Sequence, residues 1–381
     1  MDFGLNEEQE AFRRSAAAFA EREIAPIAAQ CDENNEYPVH LLGQMANLGY
    51  LGLKFPSEYG GGDGGNLETA VLFEELAAAS AGITLGVYCH VVLALTAVAR
   101  LGTAEQKQRY LAPGIRGEKI GAFGMTEAGA GSDVTAISTR ARRDGDGYVL
   151  DGAKLFTTNS PIADFIVLSA VTDPDAPPGR GISLFILDRE TPGLKVSPPF
   201  RTLGMHPAQT AEVVLDNARV PGENLLGKEN RGIPNVLMAL AEGRIAAAAF
   251  AIGIARAAFE AARRYATERR QFGQPVSRFQ VIAHRLVDMD TDIRAARLLT
   301  YQAAWLADGG RPFVKEASQA KVFATEAASR IAAQALHIQG AYGYMMESSA
   351  QRYYRDTHVL EIGEGTSEVL RNVIARELGL S

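Results

Sequence analysis

The sequence predicts an α+β multidomain fold in which a helical domain, a small β-barrel or sandwich and a second helical domain follow one another. Two changes of hydrophobic pattern along the 381 residues support this prediction. Apolar residues recur every three or four positions over residues 1–118, short β-favouring runs replace them over 119–231, and the helical period returns over 232–381. We therefore expect three domains with these limits.

The first domain is predicted to be helical because its apolar residues repeat at the spacing of one helix face. This spacing is clear in Leu41, Leu42, Met45 and Leu48. It returns over residues 68–79, after a glycine-rich loop at residues 60–65. Several short helices joined by loops are expected.

The second and third domains differ in the length of their apolar segments. Runs such as 164–169 and 181–187 are short and bounded by proline and glycine, which is typical of a small barrel or sandwich. From about Ile233 an alanine-rich helix continues until the chain breaks at Gly273 and Pro275. Further helices are expected over residues 278–308 and 312–339, and from about residue 366.

Composition argues against several classes of partner. The formal charge of −7 comes from acidic and basic residues spread along the chain, so no basic stripe is available for a nucleic-acid backbone. The two cysteines, Cys31 and Cys89, are expected to be reduced thiols, and the six histidines lack metal-ligand spacing. We predict no metal site and no nucleic-acid partner.

No membrane or export segment is expected. The most apolar run, residues 245–255, has eleven residues between two arginines, and about twenty are needed to cross a bilayer. The amino terminus carries Glu7, Glu8 and Glu10 instead of a basic and apolar leader. A cytoplasmic location is therefore the expectation.

Glu364 is the first candidate for chemistry because a glycine stands on each side of it. Gly363 and Gly365 remove side-chain bulk and allow unusual backbone angles, so a ligand could approach this carboxylate closely, as a general base requires. The same residues could form a helix-to-helix turn with Glu364 in solvent. This stretch alone favours the turn.

Two further segments have a functional and a plain interpretation. The glycine-rich residues 127–133 follow a predicted strand, so their N–H groups could hold an anion, or they could form a simple turn. In the strand 154–159, Phe156 and Thr158 are two residues apart and are expected on one face, where they could contact a flat ligand or pack in the core.

Five segments together resemble the acyl-CoA dehydrogenase family. They are FPSEYGG at 55–61, MTEAGAGSD at 125–133, ERRQFG at 268–273, YRD at 354–356 and EGTSE at 364–368. They occur in the family's order over nearly the whole chain. The resemblance implies the same order of helical, β and helical domains, with a C-terminal four-helix bundle that also makes the oligomer contacts.

The resemblance implies FAD-dependent α,β-dehydrogenation of an acyl thioester to the 2-enoyl thioester. Glu364 would take the α-proton from a dry pocket that raises its pKa towards neutrality, and its N–H and an FAD hydroxyl would hold the carbonyl oxygen. The substrate would be an acyl-CoA, and electrons would pass to an electron-transfer flavoprotein. A homotetramer is usual in the family.

The resemblance also assigns binding residues. Ser132, Arg244 and Gly365 would contact the substrate or its CoA arm, although Arg244 could also be a helix-surface charge. Arg269, which could alternatively make a surface ion pair, would bind the FAD of a neighbouring subunit. His337 would meet FAD or be a helix-end histidine. The other expected FAD contacts are Phe123, Met125, Thr126, Phe156, Thr158, Phe272, Gln280, Gly340, Thr366 and Glu368.

Departures from the family pattern leave the substrate open. Gly363 stands where short- and medium-chain members usually have Tyr, which suggests room for a branched, cyclic or wide acyl group. Ala241 replaces an Asp, which leaves open an acyl group tethered to a carrier protein. Gly243 stands where one branch of the family has its base, so Glu364 has no rival there. A flavin oxidase or monooxygenase, and a non-catalytic flavin-binding protein, are the alternatives.

Overall fold

The computed structural model describes residues 4–380, without the side chains of Asn235 and Leu237. Residues 1–3 and 381, which the predicted domain limits include, lie outside the described part. The predicted succession of helical, β and helical segments is confirmed, while the domain limits remain predictions.

The N-terminal segment is helical and contains π-helical turns within its longer helices. The helix Ala81–Tyr88 continues through a π-helical stretch, Cys89–Leu95, into the helix Thr96–Leu101. Its helices are α1 Glu7–Phe19, α2 Ala28–Asn34, α3 His40–Asn47, α4 Asn66–Ala79, α5 Ala81–Tyr88, α6 Thr96–Leu101, α7 Ala104–Gln106 and α8 Ala112–Ile115.

The central segment forms one eight-stranded sheet in the order β6-β7-β3-β2-β4-β5-β8, with β1 paired in parallel to β4. The strands are β1 Gly121–Gly124, β2 Arg140–Asp144, β3 Gly147–Thr158, β4 Phe165–Val171, β5 Ile182–Asp188, β6 Leu194–Val196, β7 Thr210–Val220 and β8 Leu225–Leu226. The β2–β4 pairing is a single register pair, Arg140 with Val171. The sheet folds there, so that Leu150 and Val213 from one half share a core with Ile166 and Phe185 from the other.

The C-terminal segment is built on the long helix α9, Gly232–Glu268. It continues with the hairpin strands β9 Arg270–Gln271 and β10 Gln274–Pro275 and then with α10 Gln280–Asp308, α11 Val314–Gln339, α12 Ala341–Tyr344, α13 Ser349–Ile362 and α14 Ser367–Glu377. The helices α9, α10, α11 and α13 pack together, and α4 of the first segment packs along α9. Sequence periodicity predicted α9, α10, α11 and α14 and missed α13.

Within residues 4–380, two helices are long and apolar enough, by length and composition, to cross a membrane. They are Ala81–Leu101, with 89% of its most apolar window buried inside the protein, and Gly232–Glu268, with 76% buried. The uninterrupted apolar run at residues 245–255 is too short to indicate either helix as a candidate span. Buried core helices pass the same test, so the finding is weak evidence for a membrane span.

Candidate active site

Glu364 lies in a tight turn between α13 and α14. The turn begins after α13, where the Gly363 N–H donates to the Val359 carbonyl oxygen, and it ends at Thr366, whose side chain caps α14 by accepting from the Val369 N–H. Glu364 and Gly365 both have left-handed backbone angles, with φ of 60° and 95°. Such angles are uncommon for glutamate and occur often at functional sites. Gly363 and Gly365 are therefore turn residues, but Oε2 of Glu364 is buried and does not point into solvent.

The carboxylate of Glu364 lies against Gly243 of α9. A Cβ atom added to Gly243 would be 3.1 Å from Glu364 Oε2 and 3.2 Å from the hydroxyl oxygen of Tyr88. The absence of a side chain at position 243 thus leaves room for the carboxylate. The alternative base position of the family and the position of Glu364 are neighbours in space.

Burial dominates the electrostatics of this carboxylate. Oε2 is enclosed and has no hydrogen-bond partner within residues 4–380. Because burial disfavours the ionised form, the pKa of Glu364 is raised to about 7, although Tyr88, Arg244 and Lys321 each oppose the increase. A carboxyl group with this pKa can accept a proton near neutral pH and hold it.

Two buried cations face Glu364 from neighbouring helices. Lys321 of α11 is fully buried and its Nζ donates to the Gly365 carbonyl oxygen at 2.8 Å, which fixes the turn. Burial lowers the pKa of Lys321 to about 8. Arg244 is 6% exposed and its Nη1 donates to Ser318 Oγ at 3.3 Å. Arg244 is therefore not a helix-surface charge.

Tyr88 and Lys321 are site residues that the sequence argument missed. Each is a polar residue within an otherwise apolar helix pattern. A polar residue at a position that the pattern buries is the signal that could have indicated them. Their proximity to Glu364 depends on contacts between residues far apart in the chain, which spacing in the sequence does not contain.

A buried ion pair fixes the segment after β1. Lys154 Nζ lies 2.6 Å from Glu127 Oε1, and both side chains are buried. Glu127 also accepts from the N–H groups of Ser138 and Thr139. Burial lowers the pKa of Lys154 to about 8, while the hydrogen bonds from Lys154, Thr139 and Ser138 outweigh burial and hold the pKa of Glu127 at about 2. The pair therefore anchors the glycine-rich turn.

The predicted residues around this turn differ in exposure. Phe123 and Met125 are half-buried against the main core, and the Thr126 carbonyl oxygen accepts from the Leu155 N–H at 2.8 Å. Ser132 is exposed on the loop that follows. The turn itself is closed by a bridge between Glu127 and Ala130.

The expectation that Phe156 and Thr158 share a face by strand alternation does not apply. The register of β3 on β7 shifts between Lys154 and Thr157, so a bulge adds one residue there. Phe156 lies in this bulge with φ of 54°, is 63% exposed and packs on Phe200 with 5.7 Å between ring centroids. Thr158 Oγ1 lies 2.9 Å from Thr210 Oγ1. An exposed phenyl ring is therefore available beside a hydroxyl pair.

Arg269, Phe272 and Gly340 line a surface groove of about 520 Å³, which we call the helix-end groove. Its other lining residues are Tyr265, Gln271, Val276, Phe279, Val281, Ile282, Ile338, Gln339, Ala341 and Tyr342. Arg269 lies over the Tyr342 ring, and Phe272 is 92% exposed. Gln280 is the first residue of α10 and His337 lies in the last turn of α11; both are exposed.

The helix-end groove is far from Glu364 in the same chain. Lys321, which contacts Gly365, is separated from Gln339 by eighteen residues of α11, or about 27 Å of helix. Gly243 and Glu268 are separated by roughly 37 Å along α9 by the same rise per residue. Glu364 and the predicted residues that line the groove are therefore distant from each other in one chain.

The remaining predicted residues belong to the turn that carries Glu364. Thr366 is the N-cap of α14, and Glu368 is exposed in the first turn of that helix. Hydrogen bonds with the start of the helix lower the pKa of Glu368. Both positions stabilise the helix that follows the turn. Among the described residues, no group of three or more His, Cys, Asp or Glu side chains could hold a metal ion.

Family models match three successive parts of the chain. They describe the N-terminal domain of acyl-CoA dehydrogenases over residues 6–118, the middle domain over 122–218 and the C-terminal domain over 230–379.

Similar proteins cover essentially the whole chain. It is 43% identical over 378 residues to the probable acyl-CoA dehydrogenase YngJ of Bacillus subtilis, covering 99% of this chain and 100% of that one. It is 43% identical over 376 residues to the 3-(aryl)acrylate reductase of Clostridium sporogenes, covering 98% of this chain and 99% of that one. It is 40% identical over 378 residues to the short-chain specific acyl-CoA dehydrogenase of Clostridium acetobutylicum, covering 99% and 100%.

Solved structures share the fold. A chain from work on the electron transferring flavoprotein of Acidaminococcus fermentans has a TM-score of 0.97 and 41% identity, with 99% of each chain covered. Butyryl-CoA dehydrogenase from Megasphaera elsdenii has a TM-score of 0.96 and 39% identity, with 99% and 100% covered. The prolyl acyl carrier protein oxidase AnaB has a TM-score of 0.95 and 32% identity, with 99% and 100% covered. An FAD complex of PigA has a TM-score of 0.96 and 28% identity, with 100% of each chain covered.

Proposed function

The chain belongs to the acyl-CoA dehydrogenase family, and from this premise we propose that Glu364 is the base of its reaction. The reaction is the FAD-dependent dehydrogenation of an acyl-CoA, catalysed by an oxidoreductase that acts on a CH–CH group. The observation that supports the base assignment is the enclosed Glu364 carboxylate, whose pKa is about 7.

Glu364 can serve the substrate in two ways. Its carboxylate accepts the α-proton, which leaves an electron pair that the thioester carbonyl takes up as an enolate. Its backbone N–H has no partner among residues 4–380 and can donate to the carbonyl oxygen as negative charge develops. Lys321 holds the Gly365 carbonyl oxygen and thereby keeps the N–H and the carboxylate of Glu364 in one fixed turn.

The residues present fit the FAD cofactor. The left-handed bulge at Phe156 exposes a phenyl ring that can cover a flavin face, and Thr158 lies on the same strand two residues further on. Phe123 in β1 and Met125 and Thr126 in the segment after it are further proposed contacts. The bound cofactor would supply the acceptor for the hydride of the substrate's β-carbon.

Arg269 and the helix-end groove are proposed to hold the cofactor of a neighbouring subunit. Arginine is a permanently charged, bidentate donor suited to a pyrophosphate, and exposed Phe272 and Gly340 adjoin it in the groove. The distance from this groove to Glu364 in one chain supports a shared site. Light scattering should give a tetramer mass. A monomer that retains FAD would contradict the sharing.

The base assignment is tested by Glu364→Gln. This variant should keep the flavin spectrum but lose the bleaching of oxidised flavin that acyl-CoA causes under anaerobic conditions. Glu361→Gln is the matched control, since Glu361 lies three residues earlier and accepts from Ser329 Oγ. Bleaching that survives in Glu364→Gln at the wild-type rate would exclude Glu364 as the base.

Gly363 supports a substrate with a branched, cyclic or otherwise wide acyl group. The nearest described atom to a Cβ at this position is the Val359 carbonyl oxygen at 3.4 Å, and the backbone has an ordinary φ of −67°. A tyrosine is therefore sterically allowed and should fill space that the glycine leaves open. The similar 3-(aryl)acrylate reductase agrees with a wide group. Gly363→Tyr should lower bleaching by aryl or branched esters relative to butyryl-CoA; an unchanged ratio would contradict this proposal.

The acyl carrier and the electron acceptor are separate parts of the proposal. Coenzyme A is the proposed carrier, with a carrier protein as the second candidate because Ala241 replaces the usual Asp and the similar AnaB is a carrier-protein oxidase. Turnover of one acyl group on both carriers compares them.

An electron-transfer flavoprotein is the proposed acceptor, and rapid peroxide formation in air would favour an oxidase. Cell fractionation would test the proposed cytoplasmic location.

A further inference from the structure

Tyr88 lies beside the Glu364 carboxylate and has no part in the reaction described so far. It is the last residue of α5, is 3% exposed and packs edge-on against Phe73 with 5.6 Å between ring centroids. Phe250 lies on it with 6.3 Å between centroids. These rings hold the hydroxyl in one position, where it donates to the Gly243 carbonyl oxygen at 2.9 Å.

The hydroxyl oxygen of Tyr88 and Oε2 of Glu364 converge on Gly243. A single added Cβ would be 3.2 Å from the first and 3.1 Å from the second. A phenol has one O–H donor and also accepts hydrogen bonds, so Tyr88 can accept while it donates to Gly243. Oε2, in contrast, has no partner in the described part of the chain.

We propose that Tyr88 is a positioning residue that serves as the hydrogen-bond partner of Glu364 in both protonation states of the base. This inference rests on the proposed role of Glu364. With Glu364 ionised, the phenol O–H turns from the Gly243 carbonyl to Oε2. When the α-C–H bond breaks and Glu364 gains the proton, its new O–H donates to the phenol oxygen. The phenol O–H then rotates back and again donates to the Gly243 carbonyl oxygen.

The other titratable groups facing Glu364 make no hydrogen bond to Oε2 within residues 4–380. Arg244 from α9 and Lys321 from α11 favour the ionised form through their charge, while Arg244 Nη1 donates to Ser318 and Lys321 Nζ donates to the Gly365 carbonyl oxygen. Burial raises the pKa of the Cys89 thiol to about 12, so it stays neutral. Burial and the charge of Glu364 also raise the pKa of Tyr88, so the phenol keeps its proton throughout the working range.

The first test compares Tyr88→Phe with the wild-type holoenzyme. This change removes the hydroxyl and keeps the ring. The rate of anaerobic flavin bleaching by butyryl-CoA should show its acid limb about one pH unit higher, because the hydrogen bond that the ionised base loses is stronger than the one that the protonated base loses. Relative to the wild type, the rate should be about tenfold lower at pH values below the pKa of the base and little changed at pH values above it. Tyr110→Phe is the matched control, because Tyr110 is equally buried and its hydroxyl donates to Asp188 at 3.1 Å.

A second readout measures the base directly and does not depend on turnover. The infrared band of protonated Glu364, identified by its absence in Glu364→Gln, should titrate about one pH unit higher in Tyr88→Phe. An unchanged or lower midpoint overturns the role of Tyr88, even if Glu364→Gln is inactive. Full activity of Glu364→Gln instead overturns the base assignment, while the infrared midpoint still reports whether Tyr88 is its partner.

Discussion

Replacing Glu364 by glutamine should abolish dehydrogenation and also stabilise the folded protein above neutral pH. Burial raises the pKa of Glu364 to about 7 from an ordinary value of 4.5. A carboxyl group with a raised folded-state pKa contributes stability that is full below its unfolded pKa and is lost as the pH rises through the folded-state pKa. At about 1.4 kcal/mol per pH unit, the difference between the two pKa values corresponds to at most about 3.5 kcal/mol.

Thermal unfolding at about pH 5 and about pH 8 measures this effect, because glutamine is neutral at both values. Glu364→Gln should exceed the wild-type midpoint by a few degrees at the higher pH, and its advantage should be much smaller at the lower pH. Glu105→Gln is the control, since Glu105 is exposed and hydrogen bonds at the start of α7 lower its pKa, so that its contribution is present at both pH values and the variant should differ from the wild type equally at both. An equal difference between Glu364→Gln and wild type at both pH values would refute the reasoning.

Two further changes test packing and a buried charge. A Cβ at Gly253 of α9 would lie 2.3 Å from the Glu74 carbonyl oxygen of α4. Gly253→Ala should therefore cost about 1–3 kcal/mol by denaturant unfolding, whereas Gly43→Ala, with no described atom within 4 Å of its Cβ, should stabilise by about 0.4–1 kcal/mol. Similar effects at both sites would contradict the packing argument. Lys154→Met should cost about 3–5 kcal/mol because Glu127 stays charged and buried, and adding Glu127→Gln should restore part of the loss. No recovery in the double variant would exclude that cause.

The spacing of apolar residues in the sequence predicted the helices whose buried faces are apolar. The alanine-rich α9 and α11 were foreseen for this reason. The helix α13 was not, because its buried positions include Gln351, Asp356 and Thr357 beside Ala350 and Leu360. Polar side chains that are buried by tertiary contacts break the apolar stripe on which such predictions depend.

The candidate site, like the fold, was predictable from the sequence only in part. The two glycines indicated an unusual turn at Glu364, and the structure has a left-handed backbone there. The bulge at Phe156 was not foreseeable from alternation, because the register shift depends on how β3 pairs with β7. Lys321 reaches the Gly365 carbonyl from forty-four residues away, a contact that only the packing of α11 creates.

The separation of Glu364 from the helix-end groove has a genetic consequence if the cofactor site is shared between subunits. A chain altered at Glu364 and another altered at Arg269 each lack one half of the site. In a mixed pair, one of the two sites receives both intact halves, and the other receives both damaged ones. With random pairing about a quarter of all sites would work. Two inactive gene copies expressed in one cell would then restore each other's activity, although neither encodes a working enzyme by itself.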